Sequence, residues 1–221
     1  MQLTVTEKLK ETYPAIQLAA LVVHNVQNKD RDERLEKEKK MLEQYIRENF
    51  REPEKIKRVE QYNEFYQKFD ATFPIGYQIK SILNGKEIPS VGCLVEVMFM
   101  AELKNCCLTA GHDLDLIEGD LILDLAKGGE IYLKINDEEQ KIKEGDIILS
   151  DRQGIIASVL YGPDSRTKIT PFSKNIIYMT YFIFPIAGRK IISIMDNLVN
   201  YLRIVEGPQV QIEKVKIYPT A

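Results

Sequence analysis

The amino-acid sequence predicts an α+β fold: N-terminal helices, then a β-rich body with one late C-terminal helix. Three observations predict it. Apolar residues between Asp30 and Gly85 recur at helical spacing within a heavily charged background. From Ile88 onward, short apolar runs alternate with Gly, Asp and Asn turn residues, the texture of strands. No Ser-, Gly- or Pro-rich stretch separates the two textures, so 1–221 reads as a single folded unit, with a mainly helical portion over 1–87 that holds one strand and a β-rich body over 88–221.

Each element has a local reason. Thr6–Thr12 reads as a short helix, with Thr4 or Thr6 as cap and Pro14 as its stop. Ala15–Val26 is apolar and β-branched towards its end, a buried strand. Asp30–Phe50 is a helix that repeats Leu35, Leu42, Tyr45 and Ile46 on one face. Pro53 is tolerated in a first turn before a second helix, Glu54–Phe69, and Pro74 opens a third that ends near Asn84-Gly85. Strands follow at Leu94–Met100, Asp120–Leu125, Glu130–Ile135, Asp146–Leu149, Ile155–Leu160 and Ile176–Phe184, with Asn136-Asp137 as a hairpin turn. Ile191–Val205 returns to helical spacing until Gly207-Pro208, and Val210–Ile217 alternates as a terminal strand.

Composition narrows the function. Thirty Lys and Arg against 33 Asp and Glu leave a net charge of −3. A dedicated nucleic-acid binder carries an excess of cations, because phosphate contacts dominate its affinity. DNA is therefore not an expected partner, and RNA binding would have to come from a local patch. One such strip is Lys55, Lys57 and Arg58, although acids interleave with the cations over 29–68 and a solvated ion-paired face is the default reading. Cys93, Cys106 and Cys107 fit neither a zinc site nor a disulfide framework, so a reducing, cytoplasmic setting is expected. No apolar run is long enough to span a bilayer, so no membrane partner is expected.

The most distinctive block is a repeated bend. Glu118-Gly119-Asp120 and Glu144-Gly145-Asp146 each launch an apolar strand, 26 positions apart. The acids Asp113, Asp115, Glu118 and Asp120 lack the spacing of a calcium loop and read as turn caps, so no metal is expected. With no phosphate loop or dinucleotide fingerprint, no cofactor is expected either. His24 ends a buried strand and reads as structural, whereas His112 sits in a Gly-rich turn beside Asp113 and reads as open to solvent. Gly128-Gly129-Glu130 is a hairpin bend or a place where backbone approaches a ligand. Gly162–Thr170 is a loop of hydroxyls and acids, fit to line a polar pocket or simply to turn into a strand.

Five pieces occur in the order of a known family. Gly85-Lys86-Glu87-Ile88-Pro89 precedes Leu94-Val95-Glu96-Val97; His112–Asp120 follows, then Lys127-Gly128-Gly129-Glu130, then Asp164–Thr170 with Asn175-Ile176-Ile177. From about Phe73 to Pro208 the chain resembles the B-three/B-four domain of the phenylalanyl-tRNA synthetase beta subunit, and more closely its free-standing relatives. The resemblance implies an α+β fold, aminoacyl-tRNA as partner, and hydrolysis of a mischarged ester by a pocket-held water. It also marks departures: Phe99 stands where the synthetase has Asn, Ala110 where it has His, and Tyr178 or Met179 near its acidic residue.

The sequence thus supports an aminoacyl-tRNA-binding protein that hydrolyses mischarged product in trans; the alternative is a non-catalytic module for an amino-acid-like ligand or a protein partner. The expected pocket is lined by Glu96, Phe99, His112, Glu130, Asp164, Ser165 and Thr167, with Glu130 orienting groups and the two hydroxyls facing the aminoacyl moiety. It requires the twin acidic bends and the Asp164–Thr170 segment to surround one hollow.

Overall fold

A computed structural model describes residues 1–219. In chain order it holds β1 (Leu3–Val5), α1 (Glu7–Thr12), β2 (Gln17–His24), α2 (Glu33–Asn49), α3 (Lys57–Gln67), α4 (Pro74–Leu83) and α5 (Cys93–Asn105). The remaining elements are β3 (Leu108–Asp113), β4 (Leu121–Leu125), β5 (Ile131–Leu133), β6 (Glu139–Lys141), β7 (Ile147–Ser150), β8 (Ile155–Ser158), β9 (Gly162–Pro163), β10 (Ile176–Phe182), α6 (Gly188–Glu206), β11 (Gln211–Ile212) and β12 (Lys216–Tyr218). The fold is α+β, as the sequence predicts. Among the described residues no helix is long and apolar enough to cross a membrane.

Two sheets and a layer of helices share one apolar cluster that runs from Leu3 to Val205. One sheet has the order β11-β2-β10-β3, with β12 also on β2; the other has the order β1-β4-β7-β8-β9, and β5-β6 is a separate hairpin. Strand β10 is buried along its whole length. Its alternation gives it two different neighbours. On one face the Tyr178 hydroxyl donates to the Leu94 carbonyl at 2.8 Å and Thr180 Oγ1 lies 3.3 Å from Met195 Sδ, so α5 and α6 cover that face. On the other face Ile177 shares a small crevice with Leu3 of the second sheet.

The segment expected as a strand over Leu94–Met100 is helix α5, so the body holds two helices rather than one. Eight of its thirteen residues are buried, on every side of the helix. A helix buried all round shows no polar stripe and mimics a strand in sequence. Conversely, Gly111-His112-Asp113 is not an exposed turn but the end of strand β3, paired with β10 and buried.

The two acidic bends do not face each other. Gly119 and Gly145 adopt left-handed φ of 77° and 83° as tight bends require. The strands they launch pair antiparallel, Ile122 opposite Ser150 and Leu125 opposite Ile147. Antiparallel strands begin at opposite ends of their ribbon. Ala126 lies opposite Asp146, so the bends are separated by the six positions from Asp120 to Ala126, about 20 Å at ~3.3 Å per residue. The single hollow expected between them does not exist.

Candidate functional site: a cationic cleft

The residues expected to line one pocket are distributed among several places. Glu96 is 1 % exposed; it takes the Lys39 ammonium at 2.8 Å and the backbone N–H groups of Val91 and Gly92 at 2.9 and 3.1 Å. It is a buried anchor for the start of α5. Phe99 lines a separate small cavity against α4. Glu130 bends back on its own turn, accepting the Lys127 N–H at 2.7 Å. The neighbouring Gly128 approaches protein rather than ligand, since a Cβ there would stand 2.9–3.1 Å from Glu144.

His112, Asp164 and Thr167 do come together, but in the interior. They are 0, 4 and 0 % exposed. His112 Nδ1 lies 2.7 Å from Thr167 Oγ1, and the Thr167 hydroxyl donates to Asp164. Arg166 extends the line, donating to Asp151 at 2.8 Å and to the Leu116 carbonyl at 2.8 Å, while Asp151 accepts the Glu118 N–H at 2.9 Å. Burial drives the His112 pKa down to about 3, so its imidazole is neutral. Ser165, half-buried beside them, donates its N–H to the Leu133 carbonyl at 3.0 Å. The sequence reading of His112 as solvent-open is thus reversed. The line ties the first acidic bend and the 164–167 loop to β3, and its His112, Asp164 and Thr167 side chains are shielded from solvent.

The second bend has its own interior tie. The Asp146 carboxylate takes the Ile147 N–H at 2.7 Å, the Ser158 hydroxyl at 2.5 Å and the Leu160 N–H at 3.3 Å. Burial lifts its pKa to about 6. Both bends serve folding. Among the described residues no group of three or more His, Cys, Asp or Glu could hold a metal ion.

The chemistry on the surface lies elsewhere. A cleft of about 780 Å³ opens where the start of α3, the end of α5 and the first turn of α6 converge. Lys57, Arg58, Lys104, Arg189 and Lys190 line it, over a floor that includes Ile56 and Ile186, and no carboxylate does. Among the described residues none of the five has an ion-pair partner within 4 Å, whereas Lys55, outside the cleft, pairs with Glu52 at 2.7 Å. Arg58 is fixed by the Asn105 carbonyl, and Lys104 sits 5.7 Å from the Tyr201 ring centre. Helix α6 starts at Ala187 without a side-chain cap, so its free N–H groups add positive potential at the same mouth. Of the strip Lys55, Lys57 and Arg58, the structure places the last two in the cleft. Sequence reading missed Lys104, Arg189 and Lys190, because nothing local brings positions so far apart along the chain to one mouth.

The fold is a mixed domain of two sheets with covering helices, and five cations line one cleft. A family model described as the B3/4 domain matches residues 67–193, more than half of the chain, and the chain belongs to that family. It is 32 % identical over 99 residues to the phenylalanine–tRNA ligase beta subunit of Mycoplasma pneumoniae, covering 45 % of this chain and 12 % of that one. It is 30 % identical over 107 residues to the corresponding subunit of Mycoplasma genitalium, covering 46 % and 13 %. The chain thus matches only about an eighth of the length of these curated relatives. In fold it is similar to an N-terminal fragment of the phenylalanyl-tRNA synthetase beta subunit from Pyrococcus horikoshii, with a TM-score of 0.54 at 11 % identity, over 99 % of this chain and 54 % of that one.

Proposed function

We propose that this chain is an aminoacyl-tRNA-binding module of the cytoplasm that holds tRNA phosphates in the cationic cleft and does not hydrolyse the ester. The observation that carries this reading is the cleft itself: five cations without a neighbouring carboxylate on a chain whose net charge is −3. Family membership supports tRNA as the polyanion. Burial of His112, Asp164 and Thr167 favours binding over hydrolysis, because a general base must reach the water it activates.

Filter binding with charged tRNA across a salt series tests the first half. Each neutralised phosphate steepens the salt dependence, so five contacts weaken binding by roughly several hundred-fold between 50 and 200 mM salt. Binding that is absent or flat with salt would remove tRNA as the partner. Deacylation of Tyr-, Ser- and Thr-charged tRNA tests the second half; the expected rate is that of buffer alone, and any protein-dependent release would restore the editing enzyme.

A further inference from the structure

The ribbon β5–β6 belongs to neither the interior ties nor the cationic cleft. Among the described residues β6 pairs with β5 alone, Lys141 opposite Ile131 and Glu139 opposite Leu133. The Lys134 N–H donates to the Glu138 carbonyl and the Ile142 N–H to the Glu130 carbonyl, so positions 138, 140 and 142 turn their backbone groups towards β5. Glu139 and Lys141 turn theirs the other way, to an edge that no strand covers among the described residues. The Lys141 carbonyl accepts the Gln140 side-chain N–H at 2.8 Å and keeps a second lone pair.

The side chains of the ribbon separate by face. Tyr132 is buried and packs with Ala126, Ile142 and Ile148. The opposite face carries Ile131, Leu133, Glu139 and Lys141, all exposed. Among the described residues Glu139 and Lys141 have no ion-pair partner within 4 Å, whereas the neighbouring Glu138 pairs with Lys134 at 3.1 Å. A two-stranded ribbon is marginal by itself and gains from further strands.

Charges on an edge normally repel an incoming strand. Here their order decides which strand is repelled. A parallel, in-register copy of β6 would set Glu139 against Glu139 and Lys141 against Lys141. An antiparallel copy centred on Gln140 sets each Glu139 against a Lys141. The outward backbone groups sit at the same two positions, so this register also forms the hydrogen-bonded pairs of an antiparallel ladder. We infer that β6 is a self-pairing edge: a second copy of this chain adds its own β6 antiparallel about Gln140. The product is a four-stranded sheet in the order β5-β6-β6-β5, with two crossed Glu139–Lys141 pairs. Each copy gives and receives the same bonds, as a two-fold contact requires. The contact is small, so the association is weak and reversible. It does not depend on tRNA or on the cleft.

Sedimentation velocity of the full chain from about 10 µM to about 1 mM tests it, with self-association expected within that range. Glu139→Lys and Lys141→Glu each set like charges opposite one another at two positions, and each weakens association at least about tenfold. The two variants associate when mixed, and the chain carrying both changes associates with itself again, because either arrangement restores opposite charges. Both positions are exposed, and denaturation midpoints check that the variants fold. In the unaltered chain, amide hydrogen exchange at Glu139 and Lys141 slows as concentration rises, a readout that needs no variant. A chain that stays monomeric at about 1 mM would overturn the pairing. So would single reversals without effect, or a mixture of the two that fails to associate. Association abolished by Ile131→Ser yet indifferent to the charge reversals would place the contact on the face of the ribbon and overturn the edge.

Discussion

At the scale of single residues, the charges inside this molecule set its stability. Lys39 and Glu96 are a buried pair whose partners are almost fully specified. Removing one partner strands the other in the interior, so Lys39→Met costs about 3–5 kcal/mol, whereas the double change Lys39→Met with Glu96→Leu costs less than Lys39→Met alone. Urea denaturation of the unaltered chain, both single variants and the double variant reads the difference directly; a double-variant loss equal to the sum of the two single losses would mean the pair is not coupled. Glu102 and His112 give opposite pH signatures. Burial lifts the Glu102 pKa from 4.5 to about 8, against the opposing bond from the Thr109 N–H. Below pH 4.5 the folded and unfolded chains both hold that proton; as pH rises to 8 only the folded chain keeps it, so stability falls across that window. His112, lowered from 6.5 to about 3, contributes stability above pH 6.5 that is lost as pH falls towards 3. Glu102→Gln retains an acceptor for Thr109 and abolishes one of the two titrations. Its unfolding free energy, followed from pH 5 to 9, therefore declines less than that of the unaltered chain, while the acid-side loss persists. A decline of equal steepness would show that Glu102 is already ionised in the folded state.

At the scale of elements, what could be read from sequence depended on how many sides of each segment are buried. Helices α2 and α6 face core on one side and solvent on the other, so Leu35, Leu42 and Ile46 or Ile191, Ile194 and Leu198 announce their stripes. Helix α5 has no such contrast, and Val95-Glu96-Val97 reads as alternation although Glu96 is as buried as Val97. Strand β3 was hidden for the opposite reason: Gly, His and Asp are turn residues by type, and only pairing with β10 and the Thr167 contact make them strand residues. The start of α5 also depends on a distant residue. Gly92 has φ +112°, and the Asn28 side chain supplies the cap, accepting the Leu94 N–H at 3.0 Å. A Cβ on Gly92 would stand 3.1 Å from the same Asn28 oxygen. Asn28→Ala thus loses a cap, about 1 kcal/mol, and Gly92→Ala costs more because it adds backbone strain to the displaced cap. Thermal unfolding ranks the two; Gly92→Ala as mild as Asn28→Ala would mean the left-handed geometry is not enforced.

At the scale of the whole molecule, the family was legible because its motifs lie in order along the chain, but the site was not, because it is made where chain order stops mattering. A repeated Glu-Gly-Asp bend carries no record of the direction in which its strand pairs, and antiparallel pairing sends the two copies to opposite ends. Lys57, Lys104 and Arg189 are each unremarkable in their own segments; convergence of three helix ends makes them one field. That field has a long reach for a chain of net charge −3, since a cleft lined by one sign focuses potential where the surrounding surface repels the same ligand. The contribution of each cation is separable. On the proposed function, replacing Arg189 and Lys190 with Ala removes two of five phosphate partners and lowers the slope of log affinity against log salt by about 1.8, with weaker binding throughout. Lys55→Ala, on a residue already paired with Glu52 and outside the cleft, leaves slope and affinity unchanged. If the two replacements act alike, tRNA follows general surface charge on α2 and α3; if only the first pair acts, the phosphates lie in the cleft at the start of α6.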